Sequence, residues 1–163
     1  DGVALINEIL PMTPRQYVIQ KIFVGFVLGC LSAMVTAAIC FKLSPAGAAA
    51  MFVLTVLSAF VAALAGLFVG SISEGMMTGA AYIKIVMIIF MAVPLLKYLA
   101  VGGNKVLSYI CFLIPSSAAF EGIMDLANGG MATAGKDMVI LAVHGIGWFL
   151  LYLFLSGRQK KNM

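Results

Sequence analysis

Long apolar runs separated by short clusters of charge set the pattern of this chain. A helix that crosses about 30 Å of hydrocarbon at about 1.5 Å per residue needs roughly 20 apolar residues. Four runs meet or approach that length. The first spans about 22–41, IFVGFVLGCLSAMVTAAICF, lies between Lys21 and Lys42, and holds no charge. The second runs over about 46–70. The third, about 80–100, carries Lys84 near one end and Pro94 and Lys97 near the other. The fourth, MVILAVHGIGWFLLYLFLS, covers about 138–156. The pattern predicts an all-α fold: a polytopic membrane helix bundle with four transmembrane helices in one domain.

Two stretches break the pattern. In EILPMTPRQYVIQK, Thr13 is a candidate N-cap with Pro14 at the first helical position, a strong start signal. Upstream, Val3, Leu5, Ile6, Ile9 and Leu10 approach helical spacing before Pro11 interrupts them. These features predict an N-terminal amphipathic helix lying in the membrane interface. The other stretch, VLSYICFLIPSSAAFEGIMDLANGG, is too apolar for a solvated loop and too interrupted for a span. Pro115 breaks it, and Glu121 and Asp125 follow one helical turn apart on one face. Over about 104–130 this predicts an external re-entrant helical hairpin, packed against the bundle because irregular backbone at membrane depth needs cover.

Composition agrees with lipid as the solvent: 63% of residues are hydrophobic and 10% are charged, against about 25% charged in ordinary globular chains. The net charge of +4 does not mark a nucleic-acid binder, because the lysines and arginines are scattered rather than striped. They read instead as orientation signals. Arg15, Lys21, Lys84, Arg158, Lys160 and Lys161 fall on one side, and Lys42, Lys97, Lys105 and Lys136 on the other, diluted by Glu121, Asp125 and Asp137. Both termini are therefore expected in the cytoplasm. The chain starts at Asp1 rather than Met, which predicts a processed or truncated product, and no signal peptide opens it. Cys30, Cys40 and Cys111 read as free membrane thiols.

Candidate chemistry is sparse. No phosphate-binding G-x-x-x-x-G-K-[ST] loop occurs. His144 is an intramembrane ionisable group and so a functional candidate, but the simpler reading is a neutral ring hydrogen-bonded to a neighbouring helix. With one histidine and no second ligand at metal spacing, neither a metal nor a cofactor is expected. Glu121 and Asp125 have no accompanying nucleophile or base, so no catalytic residue is assigned. Small residues recur every fourth position at Gly25, Gly29 and Ala33 and again at Gly66 and Gly70. Such faces allow close helix approach, either within the chain or between subunits.

In this order, the elements resemble the C-terminal two-thirds of an ABC-2 type permease, the membrane subunit of a class of ABC exporters. The resemblance rests on Leu10, Pro11, Met12, Thr13, Pro14 and Arg15 leading into a span; on Gly70, Ser71, Ile72, Ser73 and Glu74 closing another; on Leu107, Ser108, Tyr109, Pro115, Glu121 and Gly122 in the hairpin; and on the basic tail. It implies that residues 1–20 hold a coupling-type helix, with Glu8 and Leu10 to Arg15 gripped by a separate ATP-binding subunit. It also implies a dimer with a second permease copy or paralogue, contact with membrane lipid, and a location in the bacterial plasma membrane. A permease of this kind has six spans, so the resemblance implies a fragment or a reduced relative. Residue patterns alone leave two other readings: a four-span scaffold without transport activity, and a membrane enzyme using Glu121, Asp125 or His144. The apolar spans lean toward a hydrophobic or amphipathic cargo.

Overall fold

The computed structural model describes residues 14–73, 75–100 and 109–159. They include five helices, α1 (Pro14–Cys40), α2 (Pro45–Ile72), α3 (Met76–Ala100), α4 (Pro115–Ala127) and α5 (Met131–Gln159), and residues 109–111 are helical as well. No strand occurs among the described residues. Four helices are long and apolar enough to cross a membrane, over Phe23–Cys40, Pro45–Ile72, Met76–Leu99 and Met131–Phe154. The expected all-α, four-span bundle is the architecture observed. Of the leading segment only Pro14 and Arg15 fall within the described residues, as the first two residues of α1; Glu8, Leu10, Pro11, Met12 and Thr13 lie outside them.

Local sequence explains the helix ends. Pro14, Pro45 and Pro115 each open a helix, where the missing N–H has no intrahelical partner to lose. Before α2, the Ser44 hydroxyl accepts the Gly47 N–H at 3.1 Å and so caps the first turn. At the end of α4 the chain enters LANGG. Gly129 takes a φ of +82°, the Gly130 N–H donates to Asp125 O at 2.7 Å, and the Gly129 N–H donates to Leu126 O at 3.2 Å. This six-to-one, five-to-two pair of bonds stops one helix and turns the chain directly into α5. Within the spans, the hydroxyls of Ser32, Thr36, Ser58 and Ser71 donate to carbonyls one turn earlier, so no water is needed to satisfy them.

One packed cluster joins four of the helices, and buried residues continue along α2 through Val61, Leu64, Ala65 and Val69. The core gathers Ala37 from α1, Met51 and Leu54 from α2, Ala118 and Leu126 from α4, and Ala134 and Leu141 from α5. Further along, Phe60 packs near Phe149, and Phe68 meets Trp148 and Tyr152 edge-on at 5.6 and 5.9 Å. Contacts therefore advance in step along α2 and α5, so the two helices run parallel. Elsewhere α1 and α3 turn large apolar side chains outward, among them Phe23, Leu28, Ile39, Ile88 and Leu99. Water would penalise so much exposed hydrocarbon, whereas a bilayer solvates it.

Candidate functional site

The densest polar chemistry lies where α4 is inserted between α2, α3 and α5. Gly122 makes that insertion possible. A Cβ there would stand 2.9 and 3.0 Å from the two Leu54 methyls and 3.3 Å from the Asp137 Cβ. The helix backbones approach closely because this position carries no side chain. At the other end of α4, Leu113 O lies 3.2 Å from the His144 Nε2. Contacts thus climb α4 as they descend α5, and the two helices form an antiparallel pair.

Lys97, in the last turn of α3, is 9% exposed. Its ammonium forms an ion pair with Glu121 Oε1, whose side chain is 34% exposed. The same Nζ stands 3.2 Å above the centroid of the Phe112 ring, and Lys136 Nζ approaches that ring at 5.4 Å. Phe112 belongs to the turn just before α4. One lysine therefore ties α3 both to the body of α4 and to the turn that leads into it. Charge compensation is what permits a nearly buried ammonium here, and the helix C-terminus of α3 adds to it. Asp137 on α5, 3% exposed, sits in the electrostatic field of Glu121, Asp125, Lys136 and Lys97. Tyr98 and Phe120 meet edge-on at 6.0 Å and extend the α3–α4 contact into apolar surface.

His144 adds a second tether. Its Nδ1 lies 2.9 Å from Ile140 O, one turn back on α5, while Nε2 faces Leu113 O. A neutral ring has one N–H and so donates to one of these two carbonyls. The Leu113 carbonyl belongs to a different element, the turn before α4, so the ring lies against that turn whichever nitrogen carries the proton.

The sequence-chosen positions therefore divide. Pro115, Glu121, Asp125 and His144 come together in one region. Glu121 and Asp125 do share a face of α4, but Glu121 is paired with a lysine rather than poised as an acid or base. No group of three metal-type ligands occurs among the described residues. The small-residue positions lie elsewhere: a Cβ added at Gly25, Gly29, Gly66 or Gly70 would meet nothing within 4 Å, and Ala33 is exposed. At those glycines no described atom of this chain fills the side-chain position, while Ala37, four residues beyond Ala33, is buried in the core. The tight glycines are Gly122 and Gly145, the latter 3.1 Å from the Phe60 ring. Lys97, Phe112, Lys136 and Asp137 were not singled out by sequence as a site. The signal was present in Lys97, a charge inside an apolar run that needs a partner.

An ion pair, a cation–ring contact and a histidine ring lie where the short helix α4 meets α3 and α5. Neither a curated protein nor a solved structure matches the chain significantly. A family model described as ABC-2 family transporter protein matches residues 4–154, almost the whole length, including the segment before α1, all four spans and the inserted α4. By that match the chain belongs to the ABC-2 family of transporter proteins, as a membrane component of an ABC transporter.

Proposed function

We propose that this chain is the permease subunit of an ATP-driven exporter, in which residues 8–15 couple to a separate ATP-binding subunit and the α4 hairpin closes the opposite end of the pathway. The observation that carries the reading is how the turn before α4 is held. Leu113 O faces the His144 Nε2 at 3.2 Å, and the neighbouring Phe112 ring lies 3.2 Å from Lys97 Nζ, so the turn touches both α5 and α3. An apolar turn held between two membrane-length helices and leading into α4 supports a re-entrant hairpin. Its ties to α3 and α5 support a plug that is stable when closed and moves as a unit.

In this account Pro11 and Pro14 stiffen the leading segment, since each fixes its own φ, and a push from the ATP-binding subunit passes into α1. The leading segment and both termini face the cytosol, the hairpin faces outward, and the membrane is the bacterial plasma membrane. A second permease copy or a paralogue completes the pathway, with the open Gly25, Gly29 and Ala33 face of α1 available to it. Arg15 meets acidic groups of the partner or lipid phosphate. Cargo of hydrophobic or amphipathic character fits spans this apolar.

The test is co-expression with the candidate ATP-binding subunit. Replacing Pro11 and Pro14 by alanine should abolish ATPase co-purification while the permease still folds. A folded Lys97→Met variant, though less stable, should keep co-purification and change export. If the proline variants keep full coupling, the assignment of residues 8–15 fails.

A further inference from the structure

Between α2 and α3 lies an open cavity of about 360 Å³ that the transport reading does not use. One wall is made of Ala62, Ala65 and Gly66 on α2, and the other of Val86, Met87 and Met91 on α3. The small residues create it: at Gly66 an added Cβ would meet nothing within 4 Å. No charged or hydrogen-bonding side chain lines the cavity, so it offers a polar ligand no partner inside. Both flanking helices are membrane-length, so its mouth opens into hydrocarbon.

One charge stands beside it. Lys84 is exposed and has no ion-pair partner among the described residues. On α3 it precedes Met87 by three residues and Met91 by seven, so it borders the Met87–Met91 wall. It lies toward the end of α3 that follows the α2–α3 turn. From that depth its flexible stem extends the ammonium to the headgroup layer.

We propose that this cavity holds an acyl chain of an anionic glycerophospholipid, whose phosphate headgroup is paired with Lys84. An apolar slot and an unpaired cation at its interfacial edge match the two ends of that molecule. A zwitterionic lipid offers the same phosphate but offsets it with its own ammonium, so it attracts the lysine less than an anionic headgroup does. The proposal rests on the chain lying in a bilayer, and is independent of any ATP-binding partner.

The test is native mass spectrometry of the purified full chain in detergent, titrated with dioleoyl-phosphatidylglycerol or dioleoyl-phosphatidylcholine. Wild type should retain the glycerol lipid about fivefold more than the choline lipid, as one lysine near an anionic headgroup provides. Lys84→Gln should remove that preference, while Lys42→Gln, an equal change of charge at the far end, should leave it unchanged. Gly66→Leu should fill the slot and lower retention of both lipids. Ala62→Leu repeats that test should the first variant not fold. Equal retention of the two lipids by wild type, or an unaltered preference in Lys84→Gln, would overturn the proposal. So would undiminished retention in a folded slot-filling variant, or a second copy of the chain crosslinked through Met87.

Discussion

Replacing Lys97 with methionine removes the ammonium that joins α3 to α4 but keeps most of the side-chain volume. Two losses follow. Glu121 is left without its counter-charge. Breaking a fully buried pair costs about 3–5 kcal/mol, and since the Glu121 side chain is 34% exposed the cost here falls to about 2 kcal/mol. The contact of Nζ with the Phe112 ring at 3.2 Å is also lost, worth about 1–2 kcal/mol when desolvated. Lys97→Met should therefore destabilise the protein by about 3–4 kcal/mol. Glu121→Gln strands the more deeply buried partner but keeps the ring contact, and should cost about 2–3 kcal/mol. The double variant removes both members of the pair and should lose about 1–3 kcal/mol less than the sum of the singles. Thermal unfolding in one detergent reads this as a difference in Tm between the four proteins. Strictly additive losses would mean that the two groups do not act as a pair, and the tie between α3 and α4 would have to lie elsewhere.

Other outcomes follow from the same packing. Gly122→Ala should destabilise by about 1–3 kcal/mol, because Leu54 is fully buried and has nowhere to retreat. Gly145→Ala should cost less, since the Phe60 ring it approaches is 40% exposed and can turn away; the two Tm values should rank in that order. Gly129→Ala forces a side chain onto a φ of +82° and should cost about 1–2 kcal/mol, with Gly129→Asn milder. His144→Phe removes the tether to Leu113 O, a loss of about 1 kcal/mol, and hydrogen exchange should rise in the first turn of α4 but not in α2.

Much of the architecture is legible because lipid imposes a simple rule. A charge-free run such as residues 22–41 has few alternatives to a spanning helix, and Pro14 and Pro115 mark their helix starts by chemistry local to the chain. The membership in a transporter family was likewise carried by local patterns such as Leu10 to Arg15. Tertiary pairing was less accessible. Glu121 and Asp125 share a helical face by their spacing, but the cation that meets Glu121 comes from another helix. Periodicity also finds small residues without saying what covers them. Gly25, Gly29, Gly66 and Gly70 form regular stripes with no described atom within 4 Å of an added Cβ, whereas Gly122 and Gly145, outside those stripes, sit at the closest helix contacts. Proximity of that kind depends on how α4 enters the bundle, which no local window records.

The central claim is that the segment before α1 and the turn after α4 lie on opposite sides of the membrane, the first in the cytosol. With Cys30, Cys40 and Cys111 replaced by alanine, single cysteines at Thr13 and at the exposed Asn128 can be treated with a membrane-impermeant maleimide in intact cells. The account predicts labelling of Asn128→Cys from outside and of Thr13→Cys only after the membrane is permeabilised. Labelling of both from the same side, or of Thr13→Cys alone in intact cells, would contradict it.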